Sequence, residues 1–169
     1  MEKEKEDPTE WIQIIQKIAM GALKYFEFSH SRLKDYKFSY DHMLRLKGNT
    51  IVYLLYTLVR MKSILRRAGQ FEEPSSMSPD VYPLMFKLLE FRLVCQRLPK
   101  ELDFHSLCSY LYSFCSLINK YYEKTRCLEF DKEGKVTIRH LARLKITAEM
   151  VSFFEFCLKL MGIEHLDRI

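Results

Sequence analysis

Glycine and proline are scarce in this chain, five of each in 169 residues, which disfavours an architecture of many short strands and tight turns. No apolar run reaches the roughly 20 residues that a bilayer-spanning helix needs, and the acidic opening Met1–Glu10 has the character of neither a signal nor a transit peptide. Cys95, Cys108, Cys115, Cys127 and Cys157 are odd in number and contain no CxxC pair. Because Cys108 and Cys115 stand seven apart on one helical face, buried free thiols in a reducing cytoplasmic compartment are expected. His30, His42, His105, His140 and His165 are scattered, without HExxH or ligand spacing, so no metal site is expected. GxGxxG and GxxxxGK[ST] are absent, and the Ser, His and Asp of Ser29–Asp35 have no oxyanion loop to complete a triad. Catalytic residues and cofactor-binding residues are therefore expected to be none.

What is present is apolar and aromatic. Hydrophobic residues make up 48% and aromatics 14%, the composition of a globular protein with a full core rather than a disordered one. The net charge is +5, but Met1–Glu10 holds five acids against two lysines, so the remainder carries +8. That bias is compatible with a polyanionic partner.

The chain is organised around Gly48–Arg67. Asn49 or Thr50 can cap a helix in which Ile51, Leu54, Leu55, Leu58, Met61 and Leu65 recur three and four apart, and Gly69 is placed to end it. Tyr56, Arg60 and Ser63 fall at i, i+4 and i+7 and so share one face, while Lys62, Arg66 and Arg67 add charge where the helix dipole favours cations. Upstream, the periodicity predicts a loose leader over 1–9, a helix over 10–26 with Trp11, Ile14, Ile15, Ile18, Ala19, Ala22 and Leu23 on one stripe, and a connector over 27–38 with room for an extended piece. A short helix over 40–46 follows. Downstream, helices are predicted from about Asp80 to Gln96, with Pro99 as separator, then over 103–124 and 137–161. RCLEFDKEGK between Thr125 and Val136 reads as a loop or small hairpin with Gly134 at its tip. The fold class is all-α, an antiparallel bundle of about five main helices with a short N-terminal extension.

Four stretches in order carry a family likeness. F-S-Y-D-H-M-L-R-L-K-G-N-T-x-x-Y-L-x-Y-x-x-x-R-x-x-S-I, Phe38–Ile64, resembles the opening of the anticodon-binding (DALR-type) domain of arginyl-tRNA synthetases. Ile18–Tyr36 is similar to that family's segment leading out of the catalytic domain, Leu107–Glu123 to its fourth helix, and Ala142–Ile169 to its closing helix and tail. The DALR motif itself is His140-Leu141-Ala142-Arg143 here, which keeps the arginine and loses the acid, and the usual terminal methionine is Ile169. FSYDHML and YLLYTLVR lean towards the eukaryotic cytosolic type.

The resemblance implies a division into 1–9 as leader, 10–38 as the end of the catalytic-domain or stem-contact segment, and 39–169 as the anticodon-binding domain. It implies the anticodon arm of arginine tRNA as partner and the catalytic half of a class I arginine-tRNA ligase in cis. ATP would be used by that parent only. The H-x-G-H and K-M-S-K-S-like motifs of the catalytic half do not occur here, so this stretch alone is expected to be inactive. By alignment the RNA contacts are Tyr53, Tyr56, Arg60, Arg66, Tyr122 and Ile169, joined by Lys62 and Arg67 from the same basic helix end. Tyr56 and Tyr122 are expected to stack on bases, Arg60 and Arg66 to bond phosphates or base edges, and Ile169 to pack against a base. Two other readings stand beside this one: a free-standing adaptor that delivers arginine tRNA to a modifying enzyme, and a helical protein-interaction module.

Overall fold

Thr50 and Gly69 bracket the central helix in a computed structural model of the chain, which describes residues 8–167, with side chains from Trp11 onward. The Thr50 hydroxyl accepts from the Tyr53 N–H at 3.3 Å and donates to the Arg45 carbonyl at 2.7 Å, closing the N-terminus. Asn49, the other candidate cap, instead accepts from the Tyr25 hydroxyl at 2.7 Å. At the far end Gly69 takes φ 65°, a conformation that side chains resist, and its N–H returns to the Leu65 carbonyl.

The elements are α1 Pro8–Ser29, α2 Tyr40–Met43, α3 Ile51–Ala68, a 3-10 turn Pro79–Val81, α4 Tyr82–Glu101, α5 His105–Lys124, the strands β1 Leu128–Phe130 and β2 Val136–Arg139, and α6 Leu141–Leu160. Five long helices form the expected all-α bundle, and β1 and β2 pair antiparallel as a small hairpin. The helix α3 lies against α1, α5 and α6, while α4 covers α5. Leu54, Leu58 and Met61 of α3, Leu111, Phe114 and Ile118 of α5, and Met150, Phe154 and Leu158 of α6 are all 0% exposed. Each such side chain contributes about 1.5–3 kcal/mol of transfer free energy. Cys108, Cys115, Cys127 and Cys157 are buried free thiols, and Cys95 on α4 is exposed. Burial pushes the Cys108 and Cys157 thiols up to about 12, where they stay protonated and inert.

Several boundaries differ from the sequence expectation. The first helix begins at Pro8, so residues 1–7 of the expected leader lie outside the described residues. It buries Ala22, Tyr25 and Phe26, but Ile15, Ala19 and Leu23 of the expected stripe face solvent. The connector holds no strand. It folds back through an aromatic cluster in which His30 stacks on Tyr36 at 4.4 Å and Phe26 meets Phe38 edge-on at 5.5 Å. Pro99 does not separate two helices, because α4 runs on to Glu101 and closes at Leu102, whose N–H bonds the Leu98 carbonyl. So near the helix end the ring forfeits little of the backbone ladder. Thr137 and Ile138, expected to open α6, instead join Val136 in a strand, as β-branched residues do when a partner strand is at hand.

Asp80 in the 3-10 turn ties three elements together. Its carboxylate accepts from the Arg143 Nε at 2.9 Å and the Tyr121 hydroxyl at 2.8 Å, joining that turn to α6 and α5. Burial works against its ionisation, but hydrogen bonds from Ser78, Tyr121 and Arg143 outweigh that and hold the carboxyl at about 2. A depressed carboxyl stabilises the fold above its unfolded value of 3.8 and loses that contribution as pH falls through about 2. Arg143→Ala should therefore destabilise the domain by about 1–3 kcal/mol at neutral pH in urea unfolding, with the deficit shrinking below pH 3.8.

Candidate nucleic-acid interface

With one face of α3 sealed in the core, the opposite stripe must meet water. Tyr56, Arg60, Ser63 and Arg67 repeat at i, i+4, i+7 and i+11 along it, and with Arg66 they line one side of an open cleft of about 930 Å³. Thr125, Arg126, Leu128 and Phe130, leading from the end of α5 into β1, line the other. Four guanidinium groups, those of Arg60, Arg66, Arg67 and Arg126, therefore face one space, and no residue lining it is acidic. None of the four forms an ion pair with a carboxylate among the described residues; the carboxylates nearby pair instead with Lys62, His140, Arg143 and Lys145.

Arg60 is held from two directions. Its Nη1 donates to the Asn119 Oδ1 at 3.4 Å, and the Asn119 amide in turn donates to the buried Thr57 hydroxyl at 2.9 Å. The guanidinium lies 5.5 Å from the centroid of the Tyr122 ring, a cation–π contact. Tyr122 is 8% exposed, so it forms the base of the cleft beneath Arg60. Its hydroxyl lies 2.6 Å from the Thr147 hydroxyl, and because Thr147 donates to the Arg143 carbonyl, Tyr122 is the donor of that pair. Burial raises the Tyr122 phenol further above its ordinary range, so it stays neutral. Tyr56 is the opposite case, 56% exposed with its ring at the cleft edge.

The hairpin wall is fastened to the helices. Arg139 Nε donates to the Ala68 carbonyl at 2.8 Å, answering one of the open carbonyls at the end of α3. The His140 N–H bonds the Cys127 carbonyl, and Arg143, the arginine of the His140-Leu141-Ala142-Arg143 stretch, donates from Nη1 to the Arg126 carbonyl at 2.7 Å.

Of the sequence-expected residues, Tyr56, Arg60, Arg66, Arg67 and Tyr122 meet in this cleft. Tyr53 does not; it is half-buried and meets Tyr112 edge-on at 5.8 Å. Lys62 points elsewhere too, pairing with Glu155 at 2.6 Å and Asp167 at 2.5 Å. Glu155, His165 and Asp167 converge as potential metal ligands would, but the Lys62 ammonium already sits on both carboxylates. Ile169 lies outside the described residues. Arg126, Phe130 and Asn119 were not anticipated. Reading R-C-L-E-F as a strand would have put Arg126, Leu128 and Phe130 on one face by alternation, whereas nothing in the sequence marks Asn119.

Guanidinium groups beside exposed rings in a carboxylate-free cleft are suited to phosphates and planar bases, and here they stand on an all-α bundle. The chain belongs to the DALR anticodon binding domain family, which it matches over residues 54–169. Along 99% of its length it is 34% identical to the arginine-tRNA ligase of Parasynechococcus marenigrum (strain WH8102), and along 90% it is 31% identical to the cytoplasmic arginine-tRNA ligase of Cricetulus griseus. It spans 28% and 25% of those proteins. Among solved structures it superposes on the arginyl-tRNA synthetase of Thermus thermophilus with a TM-score of 0.81 at 25% identity, covering 99% of this chain and 29% of that one. The Plasmodium falciparum arginyl-tRNA synthetase gives 0.77 at 28% identity over 93% of this chain and 28% of its own. No helix among the described residues is long and apolar enough to cross a membrane.

Because the Tyr122 hydroxyl points to Thr147 and away from the cleft, Tyr122→Phe should lower stability by about 1 kcal/mol while leaving RNA affinity within twofold. Thermal unfolding and a filter-binding titration of the same protein check the two halves of that expectation.

Proposed function

We propose that this chain is the tRNA-gripping module of an arginine-tRNA ligase and that its cleft receives the anticodon arm of arginine tRNA. The observation that carries the proposal is the convergence of Tyr56, Arg60, Arg66, Arg67 and Arg126 on one space that no carboxylate lines. Four cations with no acid to neutralise them favour a polyanion, and an exposed phenol beside them favours one with unpaired bases. An acidic protein partner would need the same charge but not the ring.

In this reading Tyr56 stacks on a base, while Arg60, fixed by Asn119 and Tyr122, meets a phosphate or base edge. Arg66 and Arg67 hold neighbouring phosphates, and Tyr122 acts through Arg60. Lys62 serves the tail by anchoring Asp167 to α3. The exposed Ile12, Ile15, Met20 and Leu23 on α1 suit a contact with the preceding catalytic half, to which ATP and arginine chemistry belong. The compartment we assign is the cytoplasm.

The test is binding of the full chain to an anticodon stem-loop of arginine tRNA across a salt series. Affinity should fall steeply with salt, and Arg60→Ala should cost about 1–3 kcal/mol and reduce the log–log salt slope by about 0.7–0.9. Equal affinity for stem-loops of unrelated sequence, or nuclease protection confined to regions outside the anticodon arm of whole tRNA, would overturn the assignment.

A further inference from the structure

The hairpin contributes a wall to the cleft that the helical resemblance does not account for, and its geometry indicates a ligand-facing role. Leu128 and Phe130 both line the cleft, one on each side of the irregularity in the strand pairing between Glu129 and Phe130. Leu128 is buried, whereas Phe130 is 44% exposed, so its ring borders the open space without being absorbed in the core. A second, smaller hollow of about 410 Å³ adjoins the first, lined by Arg67, Phe130, Gly134 and Val136. Arg67 and Phe130 thus stand between the two spaces and belong to both.

The ring is also pre-positioned. The Ala68, Cys127 and Arg126 carbonyls receive Arg139, His140 and Arg143, so both strands are fixed to α3 and α6 before any ligand arrives. At the tip the Asp131 carboxylate accepts the N–H groups of Glu133 and Lys135 at 3.0 and 2.8 Å, and Gly134 adopts φ 82° to close the turn. This carboxylate is thereby occupied by the turn, and Glu129, the acid beside Phe130, is engaged by His140 at 3.2 Å. An exposed phenylalanine on a rigid support loses little conformational freedom when a flat partner covers it.

Arg67, beside Phe130, stands three turns of α3, about 16 Å, beyond Tyr56. We infer that Phe130 is a second stacking platform, holding an unpaired nucleotide farther along the strand from the one on Tyr56, with Arg67 and Arg126 on the phosphates between the two. This rests on the RNA reading of the cleft proposed above. Stacking on a phenyl ring reads no base edge, so the position should accept any base and add affinity more than sequence discrimination.

The experiment is a thermodynamic cycle between the Phe130 ring and the RNA. The full chain, Phe130→Ala and Phe130→Trp are titrated with anticodon stem-loops that carry an abasic site at each loop position in turn, and circular dichroism verifies that both variants are folded. We expect Phe130→Ala to weaken binding about five- to a hundredfold and Phe130→Trp to retain it. One abasic position should cost the unaltered chain a similar factor yet cost Phe130→Ala almost nothing, which is the signature of direct contact. Affinity unchanged by Phe130→Ala while Arg60→Ala loses binding, or losses that simply add for every abasic position, would overturn the platform and leave the cleft assignment standing. Failure of the unaltered chain to bind any of the stem-loops would remove the cleft assignment itself, and the platform with it.

Discussion

The helix α3 is enclosed by α1, α5 and α6, and that enclosure decides where charge can go. Leu54, Leu58 and Met61 are sealed completely, so a cation on their side of the helix would have to shed its water at a cost of several kcal/mol. The stripe through Tyr56, Arg60, Ser63 and Arg67 stays outside that core. Arg60 and Arg67 stand on that stripe, and Arg66 and Arg67 further gain from the negative end of the helix dipole. The binding surface and the hydrophobic core are thus two faces of one helix.

Holding that surface in shape falls to a few polar contacts at the ends of helices. Arg143 bonds the Asp80 side chain and the Arg126 carbonyl with different nitrogens, so one guanidinium sets α6, the 3-10 turn and the root of the hairpin relative to one another. Thr57 and Asn119 do the same between α3 and α5, and Arg60 is the group they orient. Loss of the acid from the DALR motif leaves His140 as a cap without a side-chain bond to the helix. Its imidazole is engaged by Glu129 instead, which ties the start of α6 to the hairpin.

The helical bundle was legible because apolar spacing and turn residues agreed: Thr50 and Gly69 for α3, Gly162 for the end of α6, where φ is 65°. The central stripe of the cleft could be read for the same reason, since i, i+4 and i+7 fix a common face without knowledge of any neighbour. Tyr53 and Lys62 could not be placed that way. Their surroundings come from Tyr112, Glu155 and Asp167, which are distant in sequence. Tyr121 and Tyr122 show the limit most clearly: adjacent phenols point to Asp80 and Thr147 respectively, and only tertiary packing distinguishes them. The hairpin was half-read, because its turn was visible in Asp131–Lys135 but its strand alternation was short, and Val136–Arg139 also fits the opening of a helix.

Four of the five sulfhydryls are shut inside the bundle and one, Cys95, sits on the outer helix α4, away from the residues that line the cleft. The folded molecule therefore carries a natural single attachment point. A maleimide dye added under native conditions would mark α4 at Cys95 without engineering. The same asymmetry makes labelling stoichiometry a gauge of foldedness, since additional sulfhydryls become reactive only where the interior opens.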